Sequence, residues 1–196
     1  LAKKNNMPSV ALTDNNNLFG ALEFSIECIN NGIQPIVGSS INYIEISNVN
    51  IPSQISFLVK NEQGYKNLLN LSSIAHTKRE NSLGITFEDI KENHSGLICF
   101  IGGEFNPLML LKKQNKIIDI DKFIKKFKQT FSDNFYFEIQ RINNPDIKDF
   151  ENDFINIAHQ YSLPIISSNN VKYENKEDTS DYITELHEPY DYKKET

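Results

Sequence analysis

The sequence is sparing in the residues that mark secreted, membrane or nucleotide-handling proteins. Its 196 residues hold two cysteines, Cys28 and Cys99. They stand far apart with no CxxC or Cys/His ligand spacing, which excludes a disulfide framework and an ordinary zinc knuckle. Both read as small buried hydrophobes in a reducing cytoplasm. No apolar run approaches the roughly 18 residues needed to span a bilayer, and no signal-peptide pattern opens the chain. A cytoplasmic protein with no membrane partner is therefore expected. The GxSxG elbow, the GxxxxGK[ST] loop and the GxGxxG fingerprint are all missing. So are a fixed-period repeat and any Gly/Ser-rich or Pro-rich linker. Basic residues are outnumbered, 20 Lys and Arg against 26 Asp and Glu, for a net charge of −6. A large surface that neutralises DNA phosphates unaided does not fit that balance, so any contact with DNA is expected only through a larger assembly.

What is present suits one soluble globular domain. Hydrophobic residues make up 39% and charged residues 23% of the chain, enough for a core without disulfides or a structural metal. The opening Leu1-Ala2-Lys3-Lys4 resembles the last turn of a helix rather than a natural beginning. Short apolar runs at 9–13, 34–38, 41–46, 55–59, 96–101, 135–140 and 164–168 predict extended segments. Between them, Leu18, Phe19, Leu22, Ile26 and Ile29 recur at helical spacing. So do Leu68, Leu69, Leu71 and Ile74, then Phe123, Phe127 and Phe131, and residues 150–161. Thr86-Phe87-Glu88-Asp89 reads as a helix start. Strands alternating with helices predict a parallel α/β architecture. Residues 174–196 turn charged and weakly periodic and are expected to form a divergent surface segment.

In such folds chemistry gathers at the carboxyl ends of strands, here Asp14-Asn15, Ser39-Ser40, Gln140-Arg141 and Asn169-Asn170. A multinuclear metal site needs several imidazoles and carboxylates there; these positions offer mostly amides and hydroxyls. Asp14 is their one strong anionic candidate, and it reads equally as a helix N-cap. His76, His94, His159 and His187 fall outside the strand ends and read as surface or satisfied histidines. Gly102-Gly103 reads as a turn.

Several ordered motifs resemble the PHP (polymerase and histidinol phosphatase) domain of bacterial DNA polymerase III alpha subunits. Residues 11–24, ALTDNNNLFGALEF, resemble the family's ALTDHGNLFGAVEF, and residues 32–38, GIQPIVG, resemble GIKPIIG. Residues 58–68, LVKNEQGYKNL, are similar to the polymerase-specific LLAKNExGYxNL. Residues 96–99, 135–141 and 163–171 follow in the family's order. The resemblance covers residues 1–173 and implies a distorted (β/α)7 barrel of seven parallel strands, here lacking its first strand. Active members hold two or three metals at the strand ends. This sequence departs from them at the ligands. Asn15 replaces the His of TDH, Ser40 a Glu, Gln54 a His, Ile142 or Asn143 a His, and Asn170 and Lys172 the Asp and His of TNDxH. Asp14 and Glu138 remain as acidic remnants, and Lys172 would repel a divalent ion or pair with Asp14.

The resemblance therefore implies a domain with no catalytic or metal-binding residues of its own and no cofactor. Its partners would be the remainder of the alpha subunit, which the domain stabilises, and a proofreading exonuclease subunit, which it helps dock. Mg²⁺ and DNA-directed nucleotidyl transfer belong to the polymerase domain of the parent protein. Two alternatives stand beside this expectation: a metal-dependent phosphoesterase or proofreading exonuclease completed by groups outside the chain, and an unrelated α/β domain binding a small molecule.

Overall fold

A computed structural model describes residues 1–48, 51–78, 83–141 and 145–168. Six strands lie side by side in chain order in one sheet. They are β1 (Ser9–Asn15), β2 (Gln34–Asn48), β3 (Ile51–Val59), β4 (Leu97–Gly102), β5 (Phe135–Gln140) and β6 (Ile165–Ser168). The helices are α1 (Ala21–Asn30), α2 (Glu62–Thr77), α3 (Phe87–Glu92), α4 (Pro107–Lys113), α5 (Ile117–Phe131) and α6 (Pro145–Gln160). Every strand expected from the apolar runs is present, with 34–38 and 41–46 fused into the long β2. The polar residues Asp14 and Asn15 extend β1 rather than ending it.

One strand departs from the parallel expectation. The pairs β1–β2, β4–β5 and β5–β6 are parallel, but β3 runs antiparallel to both β2 and β4. Only residues 49 and 50 separate β2 from β3, whereas a parallel return needs a crossover of a dozen residues or more. The connection through α2 and α3 then restores the original direction in β4.

The period-2 geometry of strands gives the sheet two unlike faces. On one, Ile41, Tyr43, Ile55, Phe57, Cys99, Ile101, Phe135 and Phe137 are all completely buried. They form a single core with side chains from α2 through α6. The expected aromatic stripe of α5 lies in this core, with the Phe123 and Phe127 rings stacked at 4.2 Å and Phe131 stacked beyond them. Each such side chain contributes about 1.5–3 kcal/mol by leaving water. We call the opposite side of the sheet the inner face.

Local signals set the helix starts. Asn61 caps α2 by accepting from the Gly64 amide at 3.0 Å. Gly64 lies so close to Gly96 that a Cβ there would sit 1.9 Å from the Gly96 carbonyl oxygen. Thr86 and Asp89 form a reciprocal capping box for α3, as the Thr86 start predicts. Helix α4 was not anticipated from periodicity. Its signal is Asn106-Pro107: the Asn106 side chain accepts from the Met109 amide at 2.9 Å and proline fills the first turn.

Helix α1 forms where the spacing predicts, but its apolar stripe is not covered. Leu22 and Ile29 are 72% and 66% exposed, and Ile26 and the preceding Phe19 are also exposed. Leu69, expected on the packed face of α2, is exposed as well, leaving Leu68 and Leu71 to face the core. The domain limit at 173 and the 174–196 segment lie outside the described residues.

Candidate functional site on the inner face

Register fixes which residues share the inner face. Asn15 pairs with Ser40, Ser40 with Ser56, Ser56 with Phe100 and Phe100 with Tyr136. Two residues along, Gly102 pairs with Glu138, and Glu138 with Ile166. Directly paired residues project to the same side, so Asn15, Ser40, Ser56 and Glu138 share one face. Gln54, two residues before Ser56 and paired with Asn42, joins them.

Asp14 does not. It pairs with Ser39, Ser39 with Phe57, Phe57 with Cys99 and Cys99 with Phe135. These partners are fully buried on the helix side. A Cβ at Gly20 would lie 3.4 Å from the Asp14 Oδ2, which places the carboxylate beneath the approach to α1. The N-cap expectation is corrected too: the cap of α1 is Gly20, with no side-chain cap bond. Asp14 and Glu138 are therefore not two remnants of one rim. A shift of one residue along a strand puts them on opposite sides of the sheet.

Several polar groups of the inner face bond to one another. The Ser40 and Ser56 hydroxyls are 2.7 Å apart, and Gln54 Nε2 donates to Asn42 Oδ1 at 3.2 Å. Asn42 Nδ2 donates in turn to the Leu83 carbonyl at 3.2 Å. Glu138 is 7% exposed and accepts from the Ser168 hydroxyl. Ser40 on β2 and Glu138 on β5 are three strand spacings apart, about 14 Å measured along the sheet.

Asn16, which the sequence reading passed over, ties this face to α2. Its side-chain oxygen accepts from the Asn42 amide at 2.8 Å. Its carbonyl oxygen lies 2.8 Å from His76 Nε2 and 3.3 Å from the Ser72 hydroxyl. Asn16 has φ 59°, in the left-handed region that glycine enters freely and asparagine tolerates. The signal was available, because Asn16 stands where the TDHGN pattern has its glycine. His76 is thus a satisfied structural histidine, and His94 rests its ring edge-on against Phe131.

A cluster of hard divalent cations needs several anionic oxygens or imidazoles within a few ångströms of one another. Among the described residues the inner face supplies one carboxylate, Glu138, amid amides and hydroxyls. No group of three or more His, Cys, Asp or Glu side chains comes together among them. That donor set does not fit a metal cluster. Ile142, Asn143, Asn170 and Lys172 lie outside the described residues.

The fold and this face define a class: a mixed α/β sheet curled as an incomplete barrel, with strand-end positions gathered on its inner side. Comparison with known proteins gives the family. The PHP domain profile matches residues 1–142, and the chain belongs to the PHP domain family. It is 37% identical over 181 residues to the DNA polymerase III subunit alpha of Rickettsia bellii, covering 90% of this chain and 15% of that protein. Its identity to the same subunit from Borreliella burgdorferi is 34% over 191 residues, covering 91% and 16%. The chain thus spans about 15% of the length of these relatives. Among solved structures it resembles a Bifidobacterium adolescentis protein described as a metal-dependent phosphoesterase. The TM-score is 0.50 at 11% identity, over 85% of this chain and 78% of that one, a likeness of fold alone. Family membership removes the unrelated small-molecule-binding domain from consideration. No helix among the described residues is long and apolar enough to cross a membrane.

Proposed function

We propose that the chain is a non-catalytic PHP domain of a cytoplasmic replicative DNA polymerase alpha subunit, one that stabilises the polymerase and helps dock its proofreading exonuclease subunit. The observation that carries this is the inner face itself. Asn15, Ser40 and Gln54 stand at positions where active relatives carry ligands; the Ser40 hydroxyl is bonded to that of Ser56 and the Gln54 amide to Asn42, and Asn15 presents a neutral amide. A hydrogen-bonded network of neutral groups holds a sheet together but does not strip water from a divalent ion. The polymerase context is supported by the kinship with DNA polymerase III alpha subunits across 90% of the chain. Nucleotidyl transfer and its Mg²⁺ belong, in this proposal, to other parts of the parent polypeptide. DNA is met only through that assembly.

The test is elemental analysis of the purified protein after exposure to Zn²⁺ and Mn²⁺, with a phosphoesterase assay on the same sample. Metal well below one equivalent and no turnover are expected. Stoichiometric metal with turnover abolished by Glu138→Gln would instead establish the metal-dependent phosphoesterase. Docking is tested by co-purification with the exonuclease subunit, which should be lost when this domain is deleted from the alpha subunit.

A further inference from the structure

Charge is distributed unevenly along this chain. From Asn5 to Val59 there is no lysine, arginine or histidine, although the whole chain holds 20 Lys and Arg, and the charged residues of that stretch are Asp14, Glu23, Glu27 and Glu45. The stretch builds β1, α1, β2 and β3. Glu45 is paired with Lys126 of α5, and Asp14 lies beneath the approach to α1. Glu23 and Glu27 are left exposed on α1. Neither forms an ion pair among the described residues, and Glu27 accepts from the Asn31 side-chain amide at 2.7 Å.

These two carboxylates border an uncovered apolar row. Phe19, Leu22, Ile26 and Ile29 are 89%, 72%, 51% and 66% exposed. Their spacing of three, four and three residues is that of a seam which a second helix covers. Ala21 and Cys28 are buried on the sheet side of the same helix, so at about 100° per residue the row points away from β1 and β2. Glu23 and Glu27, one turn apart, run along one flank of it. The last turn of α1 carries no basic residue to answer the helix dipole. A contiguous exposed apolar patch of this kind marks an interface.

The charge beside the row selects the occupant. We propose that α1 is covered by a basic amphipathic helix from the remainder of the parent alpha subunit, which packs its own apolar seam on Leu22, Ile26 and Ile29 and places lysines against Glu23 and Glu27. The proposal rests on the alpha-subunit reading above and gives the stabilising contact a place and a chemistry. Two observations favour an occupant from the same polypeptide. No polar residue interrupts the row, as in permanent interfaces, and this chain spans only about 15% of the length of its polymerase relatives. Other occupants conflict with the charge. Two copies packed antiparallel through this row would set Glu23 and Glu27 of one against those of the other. An anionic membrane surface or a DNA phosphate would meet carboxylates and no cation.

The test is zero-length carbodiimide cross-linking of the parent alpha subunit, which joins a carboxylate to a lysine amine in contact with it. Linked peptides are read by mass spectrometry on a mixture of isotope-labelled and unlabelled copies. The expected result is a link from Glu23 or Glu27 to a lysine outside these 196 residues, in a segment whose apolar residues recur at spacings of three and four. The double variant I26Q/I29Q, altered at exposed positions, should reduce that link about tenfold or more in the parent subunit. It should leave the urea midpoint of the 196-residue chain within about 0.3 M of the unmodified value. Links between labelled and unlabelled copies, links confined to these 196 residues, no link from either glutamate, or an undiminished link in the variant would overturn the proposal. Primer extension by the same preparation checks the alpha-subunit reading separately: activity without the link rejects the α1 proposal alone.

Discussion

Two leucines that look alike in the sequence should behave oppositely when truncated. Leu22 and Leu68 each sit on an apolar stripe of helical spacing, yet Leu68 is completely buried against the sheet and Leu22 is 72% exposed. Leu68→Ala removes three buried carbons and leaves a cavity among rigid strands, at a cost of about 3 kcal/mol. With a urea dependence of about 2 kcal/mol per molar for a domain of this size, the unfolding midpoint should fall by about 1.5 M. Leu22→Ala deletes a side chain that already meets water and substitutes a better helix former, so its midpoint should move by less than about 0.3 M. Equilibrium urea unfolding of both variants, followed by far-UV circular dichroism, makes the comparison. Equal losses would mean that the α1 stripe is packed in solution, and the account of which helix faces form the core would fail.

Three further outcomes follow from buried polar and backbone contacts. Asp89 is completely buried, closes the α3 capping box and lies 2.5 Å from Lys78 Nζ; Asp89→Ala should lower stability by about 3 kcal/mol in thermal unfolding. A Cβ at Gly102 would lie 2.1 Å from the Glu138 carbonyl oxygen on the paired strand; Gly102→Ala should therefore cost about 3 kcal/mol, read as a lower urea midpoint. Burial raises the Glu45 carboxyl, but the Tyr43 hydroxyl, the Phe87 amide and the Lys126 ammonium together bring it below the usual carboxylate range. A lowered folded value means that Glu45 stabilises fully above its unfolded pKa near 4.3 and that this contribution disappears as pH falls through the lower folded value. Glu45→Gln should thus be less stable at neutral pH and show a shallower acid limb in urea titrations, whereas an unchanged slope would refute the assignment.

Most of the architecture was legible because apolar periodicity reports burial directly. Phe123, Phe127 and Phe131 recur every four residues and do face the sheet, and Thr86 with Asp89 spells out a capping box. What periodicity lacks is a partner. It marks the stripe of α1 as apolar without saying whether anything in this chain lies over it, and nothing among the described residues does. Strand direction was invisible for a related reason. The alternating pattern is the same in a parallel and an antiparallel strand, and only the shortness of the 49–50 connection carries the information that β3 turns back.

The site was legible by residue type and not by side. Motif resemblance located Asn15, Ser40, Gln54 and Glu138, and the register brings them to one face. The same motif also offered Asp14, the most acidic residue of the stretch and the most natural ligand on chemical grounds alone. Its exclusion is purely geometric. Asp14 and Asn15 are neighbours in the chain, but each step along a strand inverts the side chain, so only one of them can look inward. Because Asp14 pairs with the fully buried Ser39, turning its carboxylate inward would require slipping β1 by one residue against β2. That slip would carry Leu12 with it and move Asn15 and Thr13 to the helix side. The acidic residue of TDN is therefore locked away from the inner face by the same register that places the amide there. An Asn15→His substitution, rather than any change at Asp14, is the one that should add an imidazole to the inner face, detectable as a histidine that reacts with diethyl pyrocarbonate in the folded chain, while Zn²⁺ affinity should not rise because no second ligand lies nearby among the described residues.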